Sequence, residues 1–234
     1  MDLETVNDAV SEFGFLCRGG FHPDAGDPLA VPAATVVLIG NAGSAMWHEF
    51  CRRVPPSERR RGRDPLDTWT RRTLAHAAQG LGAGVVFPFD GPPFRPFLTW
   101  AKRAEAIQSS PLGPLIHPDY GLCHAYRGAF LFDEVLTLPP PAVRPHPCAT
   151  CIDKPCLTVC PVNAPRDGHF DGPACITHLR SDEGDACLTR GCRARRACPV
   201  GRDYRYDRSH ARFHMRSFVT RPLGLTVGHA AERR

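Results

Sequence analysis

The residues best placed to do chemistry are cysteines. Eight of the eleven fall into two series, Cys148-x2-Cys151-x4-Cys156-x3-Cys160-Pro161 and Cys175-x11-Cys187-x4-Cys192-x5-Cys198-Pro199. Three closely spaced thiolates can each take one iron of a [4Fe–4S] cube, while the cysteine before proline is carried to the neighbouring cube. Crossed in this way, Cys148, Cys151, Cys156 and Cys198 hold one cluster, and Cys175, Cys187, Cys192 and Cys160 hold the other. The long gaps of the second series constrain Cys187 and Cys192 least.

Two plainer readings compete. A structural zinc site asks for only four ligands, usually in paired C-x2-C knuckles, and leaves half of the series without a task. A disulfide framework is disfavoured by the odd total of eleven cysteines and by the N-terminus. There Asp2, Glu4, Asp8 and Glu12 stand where a secretory leader would be basic. No run of the sequence approaches the length of a membrane span. A cytoplasmic protein with reduced thiols is expected, with no membrane partner.

At 234 residues the chain has room for one sizeable domain and a smaller one, and 42% hydrophobic residues suffice for a core. With 21 Gly and 24 Pro it is loop-rich without reaching the composition of disorder. Charge is divided unevenly. Residues 1–140 carry 13 basic and 15 acidic side chains, whereas 141–234 carry 16 and 9, so the net +5 arises in the cysteine-rich part. Nine arginines lie between Arg190 and Arg216 against Asp203 and Asp207. Such a surface attracts phosphate or an acidic partner protein. Nucleic acid is the disfavoured choice: no nucleic-acid motif or set of base-stacking aromatics accompanies the charge, and with only Lys102 and Lys154 present, arginine is this chain's ordinary cation.

Several elements must position these groups. Glu4 to Phe15 reads as an amphipathic helix with Val6, Val10 and Phe13 on one face. Pro32 to Gly40 reads as a buried strand, Gly40 to Gly43 as a turn, and Ser44 to Val54 as a helix. The full G-x-G-x-x-G is absent, so no dinucleotide site is expected. Val54 to Arg63 reads as an arginine-rich loop. Asp64 and Pro65 then open a helix that Gly80 and Gly82 stop. Val85 to Phe87 gives a second strand, Phe97 to Ala104 a helix, and Leu122 to Phe132 a third strand. Pro139 to Pro141, with Pro145 and Pro147, forms a stiff linker. Cys17, Cys51 and Cys123, outside the two series, are expected to be buried packing residues. Asp90, at the end of the second strand, is the first chemical candidate outside the cysteines, although an aspartate there can equally hold the turn.

Two segments carry a resemblance. Ile116-His117-Pro118-Asp119-Tyr120-Gly121 with Ala125-Tyr126-Arg127-Gly128 resembles the cyanocobalamin reductase family that processes vitamin B12. The same order of segments, together with Val86-Phe87-Pro88-Phe89-Asp90-Gly91-Pro92, resembles epoxyqueuosine reductase, a cobalamin-dependent iron–sulfur enzyme of tRNA modification. The resemblance covers roughly residues 80–200. It implies an α/β or α+β fold: a flavin-reductase-like or nitroreductase-like α/β domain over 1–140, a dicluster ferredoxin-like domain over 141–220, and a flexible tail over 221–234. It places the proton donor on Asp90 and matches Arg127 to an arginine associated with a thiol cosubstrate. His117, with Tyr120, would then lie beside a possible corrin, although before Pro118 it reads more simply as an ordinary loop histidine, and Arg127 reads equally as an ion-paired strand arginine. The helical repeats that follow the clusters in epoxyqueuosine reductases are lacking, so their tRNA substrate is not carried over.

The expectation is an iron–sulfur oxidoreductase that passes electrons through two [4Fe–4S] clusters to a cobalamin or small substrate held by the N-terminal domain, with a redox protein as electron donor. The alternative is a non-enzymatic ferredoxin-like carrier that docks on a redox partner.

Overall fold

Residues 1–24, 33–140, 142–166 and 169–220 are described by a computed structural model. The segment 221–234, expected as a tail, lies outside the described residues. The chain divides into two units. The first takes Met1–Ser110, Pro114–Ile152 and Pro199–Arg205, and the second takes Pro111–Gly113, Asp153–Cys198 and the chain from Tyr206 onward. The division after Ile152 falls inside the first cysteine series, whereas the proline linker pointed to 140.

In chain order the first unit runs α1 (Leu3–Ser11), β1 (Leu16–Phe21), β2 (Thr35–Ala42), α2 (Ala45–Arg53), α3 (Pro56–Arg61), α4 (Pro65–Gly80), β3 (Gly84–Val86), α5 (Phe97–Ala104), β4 (Gln108–Ser109), β5 (Leu115–Ile116) and β6 (His124–Phe132). Four strands make one sheet in the order β1-β2-β6-β3, antiparallel throughout. The fold is therefore mixed helix and sheet of the α+β kind. Every residue of β2 is buried. Such two-faced burial is commonest in parallel sheets, but here helices cover both faces of an antiparallel one.

The two faces follow from the period of two along a strand. Val36, Leu38, Ala129 and Leu131 pack with Phe97, Trp100 and Ala101 of α5. The residues between them turn to the other face, where α4 lies. There Gly128 is required by close approach, because a Cβ would stand 2.9 Å from Cδ1 of Leu74. Phe15 stacks on Trp69 of α4, ring centroids 5.3 Å apart, and Phe50 packs against it with its ring tilted at 5.6 Å.

Local expectations differ from the structure in three places. Asp2 caps α1 by accepting the Thr5 N–H at 2.9 Å, but Asp64, placed before α4, adopts a left-handed backbone and makes no capping side-chain bond. The arginine-rich stretch after Val54 contains the short helix α3. The turn expected from Gly40 starts later, because Asn41 and Ala42 still pair with Ala125 and His124.

The second unit is mostly helical: α6 (Pro155–Thr158), a short hairpin of β7 (Pro165–Arg166) and β8 (His169–Phe170), α7 (Gly172–Leu179), a single 3₁₀ turn at Asp182–Gly184, α8 (Asp185–Arg190), α9 (Arg193–Ala197) and α10 (Arg208–Thr220). Asp171 caps α7 through the Ala174 N–H at 2.9 Å. Helix α10 packs on α8 and α7, and α6 packs on α9. Among the described residues no helix is long and apolar enough to cross a membrane.

Candidate functional site

Short helices deliver the cysteines of the second unit. Cys156 lies in α6 and Cys160 just beyond it, Cys175 in α7 and Cys187 in α8, while Cys192 and Cys198 flank α9. The chain turns from α8 to α9 at Gly191, whose φ of +90° favours glycine and whose missing Cβ would stand 2.9 Å from the Ala211 Cβ of α10. Cys160 Sγ accepts the Ala164 N–H at 3.4 Å. Cys175 lies within electrostatic range of Cys192, Cys160 and Cys187; burial first, then these like-charged neighbours, push its thiol up to about 12. Cys187 is raised for the same reasons, partly offset by the Arg193 N–H. None of the described cysteines forms a disulfide.

This set is the one that the crossed spacing groups together. Among the described residues no three His, Cys, Asp or Glu side chains converge closely enough to hold a single metal ion. A cube sets a looser condition, since each thiolate binds its own iron. Cys148 and Cys151 belong to the first unit and Cys156 and Cys198 to the second. The Cys148 N–H is held by Nδ1 of His146 at 3.1 Å.

In the first unit the structure builds a buried polar network that sequence reasoning met only at its edge. Arg18 of β1 is 2% exposed and grips Glu105, Nη2 to Oε1 at 2.6 Å and Nε to Oε2 at 3.2 Å. Its guanidinium lies between the rings of Tyr120 and Tyr126, 5.1 and 4.9 Å from their centroids. The Tyr126 hydroxyl also donates to Glu105. Nδ1 of His117 accepts the N–H groups of Asp119 and Tyr120 at 3.0 and 3.2 Å. Its proton therefore sits on Nε2, which faces Glu105 Oε2 at 3.4 Å. Burial alone would raise the Glu105 carboxyl, but His117, the Arg18 charge and Tyr126 together hold it below its ordinary value. Burial and the Glu105 charge keep the Tyr126 phenol protonated.

His117 and Tyr120 are brought together, stacked at 4.1 Å. Tyr204 closes edge-on over Tyr120 at 4.8 Å. That closure depends on two interlocked glycines. A Cβ on Gly121 would meet the Val200 carbonyl at 2.1 Å, and one on Gly201, φ +67°, would meet the Tyr120 backbone at 2.3 Å. Both nitrogens of His117 are committed, so in this arrangement it forms part of a wall and offers no ligand to a corrin cobalt. His124, beside it, donates to the Leu115 carbonyl at 3.0 Å. Burial, and then the Arg18 charge, push its imidazole down to about 3.

Asp90 and Arg127 are held elsewhere, on the face covered by α4. Arg127 is the extra residue of a bulge: Ile39 pairs with Gly128, but Gly40 pairs with Tyr126. The bulge reverses the alternation, leaving Tyr126 on the α5 side and sending Arg127 to the other. There its Nη1 lies 3.5 Å from Asp67 Oδ1 and its Nε donates to Asn41 Oδ1 at 3.4 Å. Asp90 accepts Arg71 Nη2 at 2.6 Å and the Phe87 N–H at 2.8 Å. Asp67 and Arg71 are one turn apart on α4, so the two candidate catalytic residues share a helix face and are separated from His117 and Tyr120 by the sheet. Asp90 thus both closes its own turn and forms an ion pair.

Of the cysteines outside the two series, Cys17 lies in β1, where burial pushes its thiol up to about 11. Cys51 accepts Arg59 Nη1 at 3.0 Å, and Cys123 is buried just before β6. Arg18 and Glu105 were missed. Their only sequence signal is a charged residue flanked by apolar and small ones in Leu16-Cys17-Arg18-Gly19-Gly20-Phe21, and that signal does not name the partner.

Neither a protein-family profile nor a curated protein sequence matches the chain. Solved structures do. The B12-trafficking protein CblC of C. elegans, a homologue of human MMACHC, aligns with a TM-score of 0.54 at 15% identity over 93% of this chain and 91% of its own. An epoxyqueuosine reductase bound to a modified tRNA-Tyr stem loop aligns with a TM-score of 0.51 at 16% identity over 86% of this chain and 66% of its own. A Bacillus subtilis epoxyqueuosine reductase, solved with its catalytic aspartate loop swung out of the active site, aligns with a TM-score of 0.50 at 18% identity over 86% of this chain and 65% of its own. The chain thus shares its fold with B12-trafficking and epoxyqueuosine-reducing proteins, and it spans about two thirds of the length of the latter.

Proposed function

We propose that this chain is an iron–sulfur oxidoreductase that reduces a corrinoid or a small substrate on its first unit, fed by a redox protein in the cytoplasm. The observation that carries the reading is the set of thiols around Cys175. Four soft donors from four separate short helices and turns, with no disulfide among them, fit thiolate ligation of a cluster. Burial first, and then like-charge crowding, push Cys175 up; bound iron would relieve the crowding, since metals bind thiolates and release their protons. Cys160, Cys175, Cys187 and Cys192 would hold one [4Fe–4S] cluster, and Cys148, Cys151, Cys156 and Cys198 the second. When bound, these groups supply one-electron transfer, which side chains alone do not.

The protein's own residues do the positioning. The main-chain N–H of Ala164 hydrogen-bonds to Cys160, and that of Arg193 hydrogen-bonds to Cys187 and favours its thiolate form. On the first unit, the Asp119 and Tyr120 N–H groups fix the His117 tautomer, Glu105 faces its Nε2 and Arg18 grips Glu105, so the wall formed by His117 and Tyr120 is held in place before any ligand arrives. Asp90 would need to leave Arg71 to donate a proton. The corrinoid part of the reading is supported by the shared fold and by the matched segments around His117 and Arg127. A second reading, a non-enzymatic electron carrier, is favoured by one observation: both oxygens of Glu105 and of Asp90 and both nitrogens of His117 are already engaged. Anaerobic isolation with iron and sulfide counting, followed by titration with cobalamin, tests the cluster reading and separates the enzyme from the carrier. Iron with corrin uptake supports the first; iron without it supports the second.

A further inference from the structure

Helix α10 carries Arg208, Arg212 and Arg216 in one row, four residues apart, and all three are exposed. On a helix, residues at this spacing stack on one face about 6 Å apart along the axis. Among the described residues no carboxylate forms an ion pair with any of the three side chains. Like charges at this spacing oppose helix formation, so the row carries an electrostatic cost. The opposite side of α10 is the buried one, where His210 and Ala211 are 0% and 7% exposed. Ala211 rests on Gly191, beside Cys192, and α10 packs on α8, which carries Cys187. The arginine row therefore stands one helix thickness from the thiols grouped around Cys175. Among the described acids of this unit, Asp182, Glu183 and Asp185 gather in the 3₁₀ turn and the start of α8, Asp153 and Asp171 lie just before α6 and α7, and Asp207 stands at the start of α10, where it accepts the His210 N–H at 2.9 Å; α10 itself carries no acid.

We infer that this row is the docking surface for an acidic electron-donor protein. The inference deepens the oxidoreductase reading and rests on it for the transfer of the electron, but not for the binding. Charge complementarity selects the occupant: a row of arginines accelerates encounter with a protein of opposite charge and orients it. The position of the row, backing Cys187 and Cys192, favours a redox protein over RNA, for which proximity to the thiols would have no use. One electron passes from the reduced donor to the oxidised chain, with no bond made or broken.

The test uses the full chain and the triple variant Arg208→Gln, Arg212→Gln, Arg216→Gln, which touches no thiol and no buried group. The probe is an acidic plant-type ferredoxin, with binding measured at low and at moderate ionic strength. The wild-type chain should bind it in a salt-sensitive manner, and the triple variant should lose about ten-fold or more in association rate at low salt, together with most of that salt dependence. Reduction of the iron-loaded chain by the pre-reduced ferredoxin should slow in parallel, while reduction by a small photoreduced deazaflavin stays unchanged. Equal ferredoxin binding by the two chains overturns the proposal. So does retention of an RNA oligonucleotide that the triple variant loses while ferredoxin binding is unaffected. Should the chain hold no iron, the oxidoreductase reading fails, yet the binding comparison still decides the surface.

Discussion

Removing Glu105 should cost the first unit most of the stability that any single side chain can supply. The Arg18 side chain is 1% exposed and that of Glu105 15%. Glu105→Ala therefore leaves a guanidinium buried without its counter-charge and strips an acceptor from Tyr126 and His117. Breaking a buried pair from one side costs about 3–5 kcal/mol. At roughly 2–4 °C per kcal/mol for a chain of this size, the midpoint should fall by about 6–20 °C. All three tryptophans, Trp47, Trp69 and Trp100, lie in the first unit, so urea unfolding followed by their fluorescence isolates it from the second. The double variant Arg18→Met, Glu105→Leu should recover most of the loss, because replacing both charges with apolar groups removes the desolvation problem as well as the attraction. A loss below about 1 kcal/mol in Glu105→Ala, or a double variant as unstable as the single one, would refute the view that Arg18 depends on this carboxylate.

Two further outcomes follow from the same geometry. His124 has a folded pKa of about 3, below the ordinary imidazole value, and its Nδ1 is buried without a hydrogen-bond partner. The unfolded chain therefore binds a proton that the folded one refuses. Stability is complete above about pH 6.5 and falls by up to about 1.4 kcal/mol per unit as pH drops toward 3, and Glu105, held low, is lost in the same direction below its ordinary range. Replacing His124 with Gln should flatten the upper part of this acid limb by about one proton in a pH series of urea melts; an unchanged slope counts against the burial of a neutral imidazole. Asp90→Asn removes the charge facing Arg71 at a half-exposed site and should change stability by less than about 1 kcal/mol. If Asp90 also donates a proton in turnover, reductase activity falls steeply while the melt stays in place. A large stability loss would assign Asp90 a structural role instead.

Cysteine spacing is a local property, so the sequence alone groups the thiols into two sets. The thiols that crossed spacing groups as Cys160, Cys175, Cys187 and Cys192 are electrostatic neighbours in the folded unit. Helices with clear periodicity or punctuation, such as Pro65–Gly80, were also legible. Strand direction was not: a run such as Val36-Val37-Leu38-Ile39 is buried on both faces whichever way its neighbours run. Strand β1 was hidden by two consecutive glycines, Gly19 and Gly20, which weaken every strand signal. In the structure Gly20 is small because a Cβ there would stand 2.8 Å from the Val36 carbonyl. The partners of Arg18 and Arg127 were illegible for a different reason. Glu105 lies 87 residues from Arg18, and Arg127 reaches Asp67 only because a bulge reverses its side. Neither tertiary pairing nor a one-residue slip in register leaves a local trace.

The claim on which the account depends is metal content. Protein isolated and kept without oxygen should carry about eight irons and eight sulfides per chain, and Cys160→Ser should lose about half of both while Cys156 and its partners keep the remainder. Zinc in place of iron, fewer than about five irons per chain in the unaltered protein, or an iron content indifferent to Cys160 would contradict it.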